Sequence, residues 1–223
     1  MALSDSETSP LLYALIQSAG SKAATQSITG YGPLLEAYSL LGDLLTFLVK
    51  QGSEEPSSNS PTAPQRISLS SGLLQASTVP ECLISRGQYW AASAVIRQQL
   101  EALARLADLR NGKVSTDSKP PNVSILPTGL PQSYGRLSEL AHVSNGEFLQ
   151  SFTESLTSET VATALPTYHK DWSIGLLTQH IWQLIVLSIE IDLLHRELYP
   201  GNTLLDIEPR IHRIASLLAG SNP

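Results

Sequence analysis

Two pairs of polar side chains stand four residues apart on segments that are otherwise apolar. Arg97 and Glu101 fall on the same helical stripe as Leu83, Trp90 and Ala94. A charged pair on such a stripe is costly unless its members satisfy each other or meet further polar partners. The pair reads either as an internal ion pair that fixes helix register or as the lining of a cleft that orients a ligand. Ser138 and His142 form the second pair; Tyr134, Ser138 and Ala141 share a face, with His142 on its flank. Hydroxyl and imidazole can approach each other there, but no GxSxG elbow or oxyanion loop accompanies them. Serine hydrolysis is therefore not expected, and a satisfied, partly buried histidine is. Each pair holds a group that is expensive to bury alone, so the two faces are expected to meet. Arg97 or Glu101 would come within hydrogen-bond reach of Ser138 or His142, giving a polar network of Arg97, Glu101, Tyr134 and Ser138.

Metal and phosphate chemistry find less support. His169, His180, His195 and His212 show no ligand spacing with Cys or carboxylates, and HExxH, CxxC and paired Glu-x-x-His motifs are absent from the sequence. Gly30-Tyr31-Gly32 precedes a helix but lacks the preceding strand and third glycine of a phosphate loop. No metal and no cofactor are expected.

Helical periodicity supplies the elements that must position these groups, and the expected fold is all-α: a helical bundle with two long central helices and shorter flanking ones. Leu11 to Thr29 and Pro33 to about Lys50 read as the first two helices. Residues 52–66, rich in Ser and Pro, read as a mobile loop. A short helix from about Ile67 to Ser77 follows. Pro80–Asn111 is apolar nearly all round and ends at Asn111-Gly112, so it should be the first central helix. Lys113 to Pro131 carries four prolines and reads as a loop. A helix from Gln132 to about Val143 would hold Tyr134, Ser138 and His142, and Glu147 to Thr163 has weaker helical periodicity. Asp171–Leu198 should be the second central helix. Gln179, His180, Gln183, Glu190 and Asp192 interrupt it, so it reads as a core helix and not a membrane span. Leu204 to Leu218 closes a chain read as one helical domain, 1–223.

Composition narrows the function. Charged residues make up 15% of the chain, against about 25% in an average soluble domain. With several nearly all-apolar helices, that shortage predicts a homodimer covering an apolar patch. A net charge of −6 argues against a broad basic face, so DNA is not an expected partner. Cys82, the single cysteine, cannot form an intrachain disulfide, and the start MALSDSETSP shows no signal-peptide pattern. A cytoplasmic protein is expected.

The segment from Trp90 to Ala102, with Tyr134, Ser138 and His142 at four-residue spacing further on, resembles uncharacterised bacterial all-helical proteins. More loosely it is similar to the HEPN superfamily of all-α bundles, whose motif is an Arg, four to six residues, then a His. Here Arg136 and His142 have five residues between them. The resemblance spans roughly Pro80 to Leu198, and Leu137 stands where the residue after the motif Arg is usually polar. It implies a dimerising bundle with the Arg/His motif near the dimer interface. Many HEPN proteins are metal-independent endoribonucleases, and others are inactive binding modules. In the first case Arg136 and His142 would be catalytic on RNA or nucleotides, with His as general acid or base and Arg stabilising the charged phosphorane. In the second the chain would be a non-catalytic interaction and dimerisation module.

Overall fold

Pro33 pre-sets the φ angle of a helical first turn, and Gly32 takes φ +50 just before it, so the chain turns sharply between its first two helices. The computed structural model describes residues 5–51, 60–114, 120–141, 165–200 and 206–220. In it, α1 (Asp5–Tyr31) and α2 (Pro33–Gln51) meet at a bend of 93°. There follow α3 (Ala63–Gln75), α4 (Val79–Ser85), α5 (Tyr89–Arg110), a 3-10 turn (Val123–Ile125), α6 (Leu130–Ala141), α7 (Lys170–Leu198) and α8 (Glu208–Ala219). No strand occurs among the described residues. The fold is an all-α helical bundle.

Helix α7 runs through its centre, packed against α5, α2, α4, α3 and α1, while α6 lies on α5 and α8 on α2. Leu41, Leu44, Ile84, Ile96, Leu100 and Ile181 are fully buried between these helices. Each side chain of that size contributes about 1.5–3 kcal/mol by leaving water. By length and composition α7 could cross a membrane, yet 67% of its most apolar window is buried within the bundle.

The first central helix is not continuous. Pro80–Asn111 is broken into α4 and α5 at Arg86-Gly87-Gln88. The amide of Gly87 donates to Ile84 O (3.0 Å) and that of Gln88 to Leu83 O (2.8 Å), with Gly87 at φ +73. This is a Schellman closure with glycine at the left-handed position. The break makes room for a crossing: a Cβ on Gly87 would lie 2.6 Å from Thr167 O. The amide of His169 donates to Tyr89 Oη at 2.9 Å, tying the extended segment 165–169 to the start of α5. Asn111-Gly112 ends α5 as expected, by the same closure with Gly112 at φ +74.

Other boundaries move by less. Pro64 sits in the first turn of α3, so the helix begins at Ala63 and takes in the last four residues of the expected 52–66 loop. Residues 52–59 lie outside the described set. The expected 113–131 loop contains the 3-10 turn and the first turn of α6. Helix α8 starts at Glu208, with Pro209 in its first turn, instead of at Leu204. The weak periodicity over 147–163 and the residue His142 also lie outside the described residues.

Candidate functional site

Helix α6 lays Tyr134 over α5 at the level of Arg97 and Glu101. The Tyr134 hydroxyl donates to Glu101 Oε1 at 2.7 Å and accepts from Arg97 Nη2 at 3.4 Å. Arg97 Nη2 and Glu101 Oε1 are 3.2 Å apart, and the guanidinium carbon lies 5.4 Å from the Tyr134 ring centroid. Three groups therefore close a triangle in which the phenol is donor and acceptor at once. The hydrogen bond to Tyr134, with the Glu101 carboxylate behind it, holds the Arg97 pKa above its ordinary value.

The arrangement differs from the expected network in two respects. Arg97 and Glu101 are 25% and 28% exposed, so they sit at the rim of the α5–α6 contact and not on a dry stripe. The break at Gly87 is the reason: Leu83 belongs to a different helix, and Trp90, on the expected stripe, is 57% exposed. Ser138 makes no contact with the triangle; its buried hydroxyl has no hydrogen-bond partner among the described residues. The tyrosine proton is directed at Glu101, and the three side chains link α5 to α6. They form a clamp between two helices.

Arg136, the sequence's other candidate, points away from that clamp. It is exposed and lines a groove of about 370 Å³ between α6 and α7, with Ser133, Leu137, Leu140, Trp172 and Gln179. Arg136 makes no ion pair with a described residue. A continuous α-helix would turn a residue six positions on by about 600°, leaving it roughly 120° round from Arg136. The groove continues: Ser133 and Gln179 also line a second hollow of about 460 Å³ floored by Trp182 and Ile185. Pro127, Thr128, Val186 and Ile189 then lead into a third of about 340 Å³ beside Arg110 and Glu190. Along the three hollows α7 contributes Trp172, Gly175, Gln179, Trp182, Val186, Ile189 and Leu193, spaced alternately three and four residues apart, with Asp171, Leu176, Ile185 and Glu190 beside them. Trp182 and Ile189 remain 40% and 37% exposed.

Several buried polar groups escaped the sequence reading. Arg66, 1% exposed, pairs with Glu197 of α7. Glu190, one heptad before Glu197, pairs with Arg110 at 3.2 Å; burial pushes its carboxyl pKa up against the pull of Arg110 and Arg66. His180 is fully buried, its Nε2 2.7 Å from Ser77 O, and burial drives its pKa down to about 4. A short imidazole-to-carbonyl contact requires the Nε2 proton, so this histidine is neutral with Nδ1 bare. The available signal was the set of polar interruptions in α7, His180 and Glu190 among them, with Glu197 one heptad beyond Glu190. No group of three or more His, Cys, Asp or Glu side chains among the described residues could hold a metal ion. Comparison with protein-family models, curated proteins and solved structures finds no match for this chain.

Proposed function

We propose that the protein is a non-catalytic helical interaction module whose working surface is the groove along α7. One observation carries this reading: the groove keeps Trp182 and Ile189 in water at coiled-coil spacing, on a helix otherwise buried in the bundle. A seam with alternating three- and four-residue spacing accepts a partner helix whose apolar residues repeat every 3.5 positions. Within the HEPN-like resemblance, this reading corresponds to the inactive binding modules. The test is a titration with a model amphipathic peptide carrying leucines at its a and d positions, followed by tryptophan fluorescence. A saturable blue shift, absent in Ile189→Asp, is expected. No shift at peptide concentrations of about 1 mM, a weak-binding limit of roughly 4 kcal/mol, would overturn the reading.

A second reading draws on Arg136. Its guanidinium stands exposed in the same groove without an ion-pair partner among the described residues, as an RNA-cleaving or nucleotide-processing site with His142 would require. Incubation with total RNA, with and without chelator, decides between the two. Cleavage lost in both Arg136→Ala and His142→Ala supports the ribonuclease; intact RNA supports the module.

A further inference from the structure

The groove along α7 is complementary to itself. Trp182 stands at its middle, ten residues from Trp172 and eleven from Leu193. Around that midpoint the seam pairs unlike with unlike. Gly175, seven residues before Trp182, lines the hollow between α6 and α7, and a Cβ there would meet open space. Ile189, seven residues after, is a projecting knob. At one end Asp171 lines the groove without an ion pair to a described residue. At the other, Arg110, paired on its inner side with Glu190, is 39% exposed beside Leu193.

Resting on the reading of the groove as a helix-docking surface, we infer that its occupant is a second copy of this chain. The two α7 helices lie antiparallel with Trp182 on the two-fold axis. In that register Ile189 of each copy enters the hollow at Gly175 of the other, and Trp182 meets its own counterpart. Asp171 meets the partner's Arg110. A parallel pairing would set knob against knob, hollow against hollow and Asp171 against the partner's Asp171, which like-charge repulsion disfavours. The seam from Trp172 to Leu193 is about 30 Å long at 1.5 Å per residue. That length suits an isologous interface of two helices packed knobs into holes.

The experiment is disulfide mapping on the full chain, with Cys82→Ser as background. Trp182→Cys alone gives a covalent dimer on mild oxidation. Gly175→Cys alone gives none, and neither does Ile189→Cys alone. A mixture of the two, carrying different tags, gives the mixed dimer. Sedimentation of the unmodified protein at tens of micromolar shows a dimer, and Ile189→Asp shifts it to monomer with an unchanged circular dichroism spectrum. Self-linking of Gly175→Cys overturns the antiparallel register. An unmodified chain that sediments as a monomer overturns the second copy. If the model peptide still shifts the tryptophan emission of that monomer, the docking groove stands and only its occupant is wrong. If the peptide fails as well, both readings fall.

Discussion

The Tyr134 hydroxyl gives its proton to Glu101 across the α5–α6 contact at 2.7 Å, and takes a hydrogen bond from Arg97 in return. Tyr134→Phe keeps the ring against the Arg97 guanidinium and deletes both hydrogen bonds. With the acid and base about one quarter exposed, solvent replaces part of what is lost. A destabilisation of about 1 kcal/mol is expected in urea unfolding. Arg97→Met should then cost less in the Tyr134→Phe background than in the unmodified protein. Additive losses would mean that the three side chains do not act together.

Gly87→Ala should be among the most damaging single-methyl changes in the chain. Its φ of +73 disfavours any side chain, and the added carbon would meet the backbone of Thr167 rather than a yielding side chain. A loss of at least about 2 kcal/mol is expected from the two effects together. Gly112→Ala serves as the control. It has the same left-handed φ but open space around it, so only the conformational part remains. Equal losses in thermal unfolding would remove the Thr167 crossing from the explanation.

Buried histidine makes stability depend on pH. His180 is held neutral, its pKa lowered from 6.5 to about 4 by burial. The unfolded chain binds a proton there below pH 6.5 that the folded chain refuses until about pH 4. Stability from this group is therefore complete above pH 6.5 and falls progressively down to about pH 4, a total on the order of 3 kcal/mol. His169 and His195, also lowered by burial, act in the same direction. Glu190 acts oppositely: its raised pKa favours folding below 4.5, and that contribution is lost as pH rises through the folded value. His180→Gln, which keeps a donor for Ser77 O, should flatten the slope between pH 6.5 and 4 in denaturant titrations. An unchanged slope would assign the pH dependence elsewhere.

Arg66 is the buried cation between two carboxylates of α7, paired with Glu197 and attracting Glu190. Arg66→Ala leaves Glu190 with Arg110 and Glu197 to solvent, and a loss of about 2 kcal/mol is expected, below the cost of stranding a buried charge. Arg66→Met, which restores apolar volume, should recover part of that in the companion Glu190→Gln variant. If Arg66→Ala unfolds at the unmodified midpoint, the charge is not structural.

The parts of this fold that could be read in the sequence are those written locally. Helix α7 is apolar on most faces over 29 residues, and α5 stops at Asn111-Gly112, so both follow from pattern and punctuation. The break before Tyr89 carries the same glycine punctuation at Gly87, but the surrounding apolar pattern runs on across it and masks it, and the Thr167 crossing it admits comes 80 residues later. Arg66 was hidden for the same reason: its partner Glu197 lies 131 positions away, and its neighbours are loop-like Ser, Pro and Gln. At the clamp, four-residue spacing identified Arg97, Glu101 and Tyr134. The same spacing misled at Ser138, because sharing a helix face with Tyr134 does not bring a short side chain within reach of α5's polar groups.

The crossing at Gly87 also orders events in time. Three contacts join the first ninety residues to a short stretch late in the chain: Thr167 against Gly87, Tyr168 against Gly30, and His169 on Tyr89. As a ribosome emits the chain, α1, α4 and the start of α5 can form and touch each other directly, but the corner they share is completed only when residues 165–169 have left the exit tunnel. Closing loops of that length precedes any reward from the contacts, so assembly of this corner should be slow and late. Truncation before residue 165 would leave the N-terminal helices helical yet unable to reach their native packing.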